Sequence, residues 1–375
     1  MEIRARILAI ASVVGALTAA SFAQAEPLNP TLSRLVVNPA CQMGPNANGV
    51  PTYGTYNPGY LRAGGDPLTQ TGVCQADNDA FTRLISQWAF VVAPTAMHSA
   101  RTTGYGGFDF SLQGAFTKID SGADYWLRGT QGSRDPSNGA ASQQGSPPGI
   151  LANYSIVARK SFGFGLETAL NLGFIPSSSI ITGGADVRMA LLEGFRTGVL
   201  GVFPDIAAGG SVRTITGTTE FQLTVAGLDV QISKPLAIAS SSVLTPWVGY
   251  QHLWIFGNSG LVDLTPATDA LNYCGYAGQD IPGNPRASAN DGQPICNGGS
   301  PLDFNNNVVF DQVRLNRDRM MFGLNYRYEM VSVGGQFITD LLAPAKAQKS
   351  GSPEANALAG TPRQWTIVGS LGVEF

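Results

Sequence analysis

Two histidines, four cysteines and a scatter of acids and arginines make up the reactive chemistry of this chain. His98 lies in "AMHSA", directly before Ser99, and His252 lies in "GYQHLWIF". A serine-type hydrolase needs a hydroxyl nucleophile, an imidazole base and a carboxylate or amide that orients the base. Adjacent residues on an extended chain point apart, so His98 and Ser99 do not form such a pair. His252 shares strand parity with Tyr250 and Trp254 and reads as one member of an aromatic row. Phosphate-binding loops, dinucleotide fingerprints and calcium-loop spacings are missing, and "DFNNN" and "NDG" are loop composition. The expectation is a chain without a catalytic site and without a cofactor.

The cysteines fall in two glycine- and proline-rich stretches, Cys41 with Cys74 and Cys274 with Cys296. Metal sites favour close pairs such as C-x₂-C, and none occurs, so no metal centre is expected. An even number in an oxidising compartment favours disulfides. Of the three possible connectivities, the sequence-local one, Cys41–Cys74 and Cys274–Cys296, is the favoured expectation.

The compartment is read from residues 1–25, "MEIRARILAIASVVGALTAASFAQA". Arg4 and Arg6 precede an apolar core from Ile7 to Leu17, and Ala23-Gln24-Ala25 supplies small residues at a cleavage site. This is the pattern of a secretory signal, cut before Glu26. Its removal takes Arg4, Arg6 and Glu2 from 23 basic and 26 acidic residues, leaving 21 against 25 and a net of −4. That balance gives no reason to expect nucleic acid or a polybasic lipid-binding surface.

Charged residues make up only 13% of the chain, against about 25% in soluble globular domains. Yet the mature region has no run approaching the ~20 apolar residues of a membrane-spanning helix. Few charges without a long apolar run is what alternating, membrane-spanning strands produce, and the mean hydropathy of +0.04 agrees.

Residues 26–103 form a segment of their own. Its first part is rich in Pro, Gly and Asn and is expected to be irregular and disulfide-stapled. "DNDAFTRLISQWAFVVAP" then predicts a helix over about 78–93, capped by Asp77 or Asn78 and stopped by Pro94. Phe81, Leu84, Ile85, Trp88 and Val92 share one face at amphipathic spacing. That face needs a partner: a barrel lumen, the membrane interface or a small cap.

From Gly104 the period changes to two. Phe108, Phe110, Leu112 and Phe116 alternate with Asp109, Ser111, Gln113 and Thr117. Similar patterns predict strands at about 104–118, 150–160, 163–175, 180–192, 204–214, 220–233, 243–256, 308–328, 331–341 and 364–375. Gly227 interrupts the alternation between Val225 and Leu228 and predicts a β-bulge. Connections alternate between mostly short ones and long ones at about 119–149, 257–307 and 342–363. Aromatics gather near strand ends, among them Phe162, Phe174, Trp254, Tyr328, Trp365 and Phe375. The expected fold over 104–375 is a closed, antiparallel, up-and-down transmembrane β-barrel of about ten strands.

The last strand, "WTIVGSLGVEF", ends in alternating apolar residues and a free aromatic. With the signal and the alternation it makes the chain resemble Gram-negative outer-membrane β-barrel proteins. In that family Val373 and Phe375 would be the C-terminal insertion signal. The resemblance implies a closed antiparallel barrel among outer-membrane lipids and insertion by the barrel-insertion machinery. The alternation of short and long connections is expected to put both termini on the short-turn side. The expected role is passive small-solute transport or membrane-structural, with the narrow or plugged lumen that about ten strands and balanced inner charges predict. The alternative role is surface interaction or adhesion through the long loop 257–307, with an extracellular ligand unknown.

Strand parity turns Asp109, Glu167, Asp186, Asp340 and Glu374 inward, together with Arg188, Arg213, Arg319 and Arg327. Five acids and four bases in a narrow lumen are expected to pair, because an isolated ion there is costly. They form no ring of a single sign, the mark of an ion-selective pore.

Overall fold

The computed structural model describes residues 27–35, 76–132, 147–194, 203–239, 241–263 and 307–375, plus the backbone of four short strands. The segment read as a signal peptide, Cys41, Cys74 and most of the connection 257–307 lie outside the described residues. Two of the short strands set Cys274 opposite Cys296 as cross-strand backbone partners.

Ten strands form the wall: β1 Phe108–Lys118, β2 Ile150–Ser161, β3 Leu166–Phe174, β4 Ile181–Leu192 and β5 Asp205–Thr216. They continue with β6 Phe221–Ser233, β7 Ser242–Ser259, β8 Val313–Tyr328, β9 Val331–Asp340 and β10 Trp365–Glu374. Each pairs antiparallel with its sequence neighbours, and β10 pairs with β1 to close the ring. A short extra strand, Leu236–Ala239, folds back on the start of β7. No helix among the described residues is long and apolar enough to cross a membrane.

Closure carries a stagger. From Leu112 the hydrogen-bonded row runs through Ile156, Leu172, Gly183, Thr214 and Thr224 to Phe256. The opposite way round it runs through Leu371, Val333 and Tyr326 to Leu244, twelve residues away on the same strand. Such a stagger forces the strands to tilt against the barrel axis.

Period-two sequence then decides what each face meets. Phe110, Leu112, Phe116, Val230, Ile232, Leu324, Val333, Ile367 and Leu371 all stand on the outside. Leu170 and Leu172 are 68% and 64% exposed, in mid-strand, which water would not tolerate across a whole circumference. Near one end, Phe116, Tyr154 and Phe174 form a chain of ring contacts at 6.0 and 5.8 Å. At the other end Phe108 stacks on Phe375 at 6.1 Å.

We call the end that holds Phe108 and Phe375 proximal and the opposite end distal. The turns after β2 and β8 are proximal and tight, and the connection after β4 is longer. Distal connections include the long ones after β1, β7 and β9, but also the short ones 175–180 and 217–220. The expected bulge at Gly227 is not there. Gly227 pairs in register with Leu253 and Ser211, and the register shift lies instead at Ala190/Leu192 in β4. The alternation looked broken because Val225 is apolar and faces inward.

Val225 faces a helix. α1, Asn78–Val92, stands inside the distal half of the lumen, capped by the Asp77 carboxylate, which accepts from the Ala80 amide at 3.0 Å. Twelve of its fifteen residues are buried, so its polar side is enclosed as fully as its apolar one. Phe81, Leu84, Ile85 and Trp88 pack with Leu223, Val225, Leu253, Ile255 and Leu315 of the wall. Trp88 meets Trp126 of α2, Asp124–Gly129, at 5.3 Å. Beyond Ala93 the chain continues down the lumen to the proximal end, where β1 begins.

One expectation is overturned by this path. Residues 27–35 sit at the distal mouth, at the opposite end of the barrel from Phe375.

Candidate functional site

The lumen is an enclosed polar space, and its charges divide into groups. Proximally, Arg159 on β2 reaches Asp109 on β1 at 3.2 Å and Glu167 on β3 at 3.3 Å. Arg188 on β4 reaches across Gly209 to Asp229 on β6 at 3.1 Å. Asp186 and Arg213 form a bidentate pair at 2.7 and 2.8 Å. Arg327 pairs with Glu374 at 2.9 Å near the open proximal mouth. Distally, Arg317 clamps Asp340, donates to Gln364 at 2.7 Å and lies over the Phe90 ring, 4.6 Å from its centroid. Arg319, expected to pair with an acid, instead donates to Gln251 and to the Pro94 carbonyl.

Three partners in this network escaped the sequence reading: Arg159, Asp229 and Arg317. Asp229 shares its inward parity with Val225 and Gln231, and Arg317 shares its own with Arg319, so the alternation itself carries the signal for both.

His98 sits in the centre of the proximal group. Arg188 Nη1 donates to its Nδ1 at 2.9 Å, so Nδ1 carries no proton. Nε2 then carries it and faces Glu167 Oε1 at 3.3 Å. Both nitrogens are committed and the ring is neutral, which leaves it unfit as a general base. Ser161 and Thr103 complete the surroundings of Glu167, with Ser161 Oγ 2.8 Å from its Oε2.

The segment from α1 to His98 is held mostly by its own carbonyls. Arg317 donates to Ser86 O at 2.9 Å, Arg319 to Pro94 O at 2.7 Å, and Gln336 to Thr95 O at 2.7 Å. Gln231 donates to Ala96 O at 3.0 Å and Arg188 to Ser99 O at 3.2 Å. A non-helical backbone inside an enclosed space needs such partners, and the wall supplies them. Ala96 adopts φ 48°, a left-handed conformation that costs an alanine energy and persists only where its surroundings impose it.

The wall is also shaped for this segment. A Cβ on Gly257 would lie 2.5 Å from Ile85 Cγ2, and one on Gly334 would lie 2.7 Å from Met97 Cε. Small polar clefts remain beside it. One is lined by Thr95–His98, Asp186, Arg188 and Arg213. Another, towards the proximal end, is lined by Arg101, Asp109, Asn325 and Arg327 among others.

His252 lies elsewhere. On the outer wall its Nδ1 is 2.7 Å from Asp318 Oδ1, Tyr250 OH donates to the same oxygen, and Trp254 meets the ring edge-on at 4.5 Å. Among the described residues no serine or threonine hydroxyl is bonded to this imidazole. Above the distal rim, Glu220 accepts from the Leu32 amide at 2.8 Å. Burial pushes its carboxyl above the usual range, and the Leu32 bond only partly opposes this.

No family model matches the chain, and no curated protein matches it. Solved outer-membrane barrels share its general architecture at low similarity. Neisserial surface protein A is 9% identical over 72% of this chain and 99% of its own, with a TM-score of 0.26. The attachment invasion locus protein Ail of Yersinia pestis is 10% identical over 72% and 100%, at 0.23. Omp33 of Acinetobacter baumannii is 9% identical over 72% and 100%, also at 0.23. Likeness of this degree transfers no role.

Proposed function

We propose that this chain is an outer-membrane β-barrel that is plugged by its own residues 77–103 and serves a membrane-structural role. The apolar belt supports the membrane reading, since a continuous ring of exposed Leu, Val, Ile and Phe is stable only against hydrocarbon. One observation carries the plugged reading: α1 is buried on all sides, with wall donors committed to the carbonyls below it. A conduit for small solutes would need those donors free to face a passing solute or water.

The test is conductance in planar bilayers. The purified, heat-modifiable barrel should stay silent at low voltage, and a variant carrying Gln231→Ala and Gln336→Ala together should flicker open. Steady conductance from the wild-type chain would instead favour passive transport.

A second reading has its own support. β7 and β8, at 18 and 16 residues, outrun the other strands, and Val262–Asp263 pairing with Asn307–Val308 continues them distally. They carry the connection 257–307 away from the belt, as a surface interaction module would. Deleting residues 265–300 should then abolish binding of cells to a partner while leaving the barrel intact.

A further inference from the structure

We propose that the barrel carries its own N-terminal segment through its lumen and displays it at the distal mouth, on the cell exterior. The inference rests on the membrane reading above and adds a direction to the path of the chain.

At the distal mouth, residues 27–35 are bonded into three connections. Leu28 N donates to Ser177 O at 3.0 Å, Thr31 N to Gly129 O at 3.0 Å, and Leu32 N to Glu220. Asn29 Oδ1 accepts from the Ser179 amide at 2.7 Å, and Pro30 bridges to Thr130. Residue 77 is at the same mouth, where its amide donates to Leu35 O at 2.9 Å and its carboxylate pairs with Arg128 at 2.9 Å. The chain between residues 35 and 77 therefore starts and finishes distally.

From residue 77 the chain descends. Ala100 N meets Ser233 Oγ at 3.1 Å, Thr102 meets Glu193, and Thr103 meets Ser161 at 2.7 Å, each partner being at the proximal end of the wall. Phe108 and Phe375 then exchange backbone bonds at 2.9 and 2.8 Å. α1 alone is about 22 Å long, and the extended residues after it easily make up the rest of a belt about 25 Å tall. Every wall strand has two partners, so no lateral gap exists through which this segment could have entered. It passed through the lumen, or the wall closed around it. Either way, residues 27–35 and Asp77 lie across the membrane from Phe375.

Two epitope tags test this in the full chain. One follows Glu26, and the other enters the proximal turn between Gly163 and Phe164, whose side chain is 99% exposed. In intact cells the first tag should bind antibody at least tenfold more strongly than the second, and permeabilisation should bring the second to parity. Staining of the first tag only after permeabilisation, in a variant that still gives a heat-modifiable outer-membrane band, overturns the inference and leaves the membrane reading standing. Absence of that band from the untagged chain would strike at the membrane reading itself, and this inference would fall with it.

Discussion

His98 Nδ1 accepts a hydrogen bond from Arg188 Nη1 at 2.9 Å, which joins a residue of the lumen segment to an arginine of the wall. The same guanidinium serves Gln231, Ser99 O and Asp229. His98 is thus a fastener. It is neutral, and both nitrogens are used.

Replacing it should loosen the segment while leaving the strand pairing of the wall in place. His98→Ala leaves Arg188 and Glu167 each one partner short, at a cost of about 1–3 kcal/mol. The urea midpoint for loss of the folded, heat-modifiable form should fall. An unchanged midpoint would mean that the segment is held by α1 alone.

Steric fit gives a sharper test. Gly257→Val puts carbon where Ile85 Cγ2 already sits, and overpacking of this kind costs about 1–3 kcal/mol. Adding Ile85→Ala should recover most of that loss in a double-mutant cycle. Two additive penalties would show that helix and wall do not touch in the membrane.

Acid should tighten the distal cap. Because burial raises the Glu220 carboxyl, the protonated form is favoured when folded. Its contribution is complete below the ordinary glutamate pKa of about 4.3 and fades as pH climbs through the raised value. Hydrogen-exchange protection of residues 27–35 should fall over that climb, and Glu220→Gln should flatten the profile. Protection that grows with pH would contradict the sign.

Phe375 belongs to the seam as much as to an insertion signal. It exchanges two backbone bonds with Phe108 and stacks on its ring. Phe375→Ser should therefore slow the appearance of the heat-modifiable band after refolding into detergent, where no insertion machinery is present. Normal refolding in detergent with failure only in cells would assign the residue to the machinery alone.

The wall was legible because a barrel repeats one rule on every strand: apolar out, polar in. The ten predicted segments and the observed strands differ mainly at their ends. The rule misleads where the interior is itself apolar. Val225 belongs to the apolar cluster that includes Leu84 and Ile85 of α1, and its inward apolar side chain mimics a bulge at Gly227 that the strand pairing does not show. Arg319 shows the other limit. Parity puts it inside, but its partners are the Gln251 amide and the backbone carbonyl of Pro94, and carbonyls carry no sequence signature. Nor does any residue type announce at which mouth a chain enters. That had to come from Leu28, Thr31 and Leu32 and the loops they bond.

The wall-to-carbonyl bonds lie across the axis along which the segment runs. On the proposed path, tension on residues 27–35 along that axis would load these bonds in shear, together, and would not peel them one at a time.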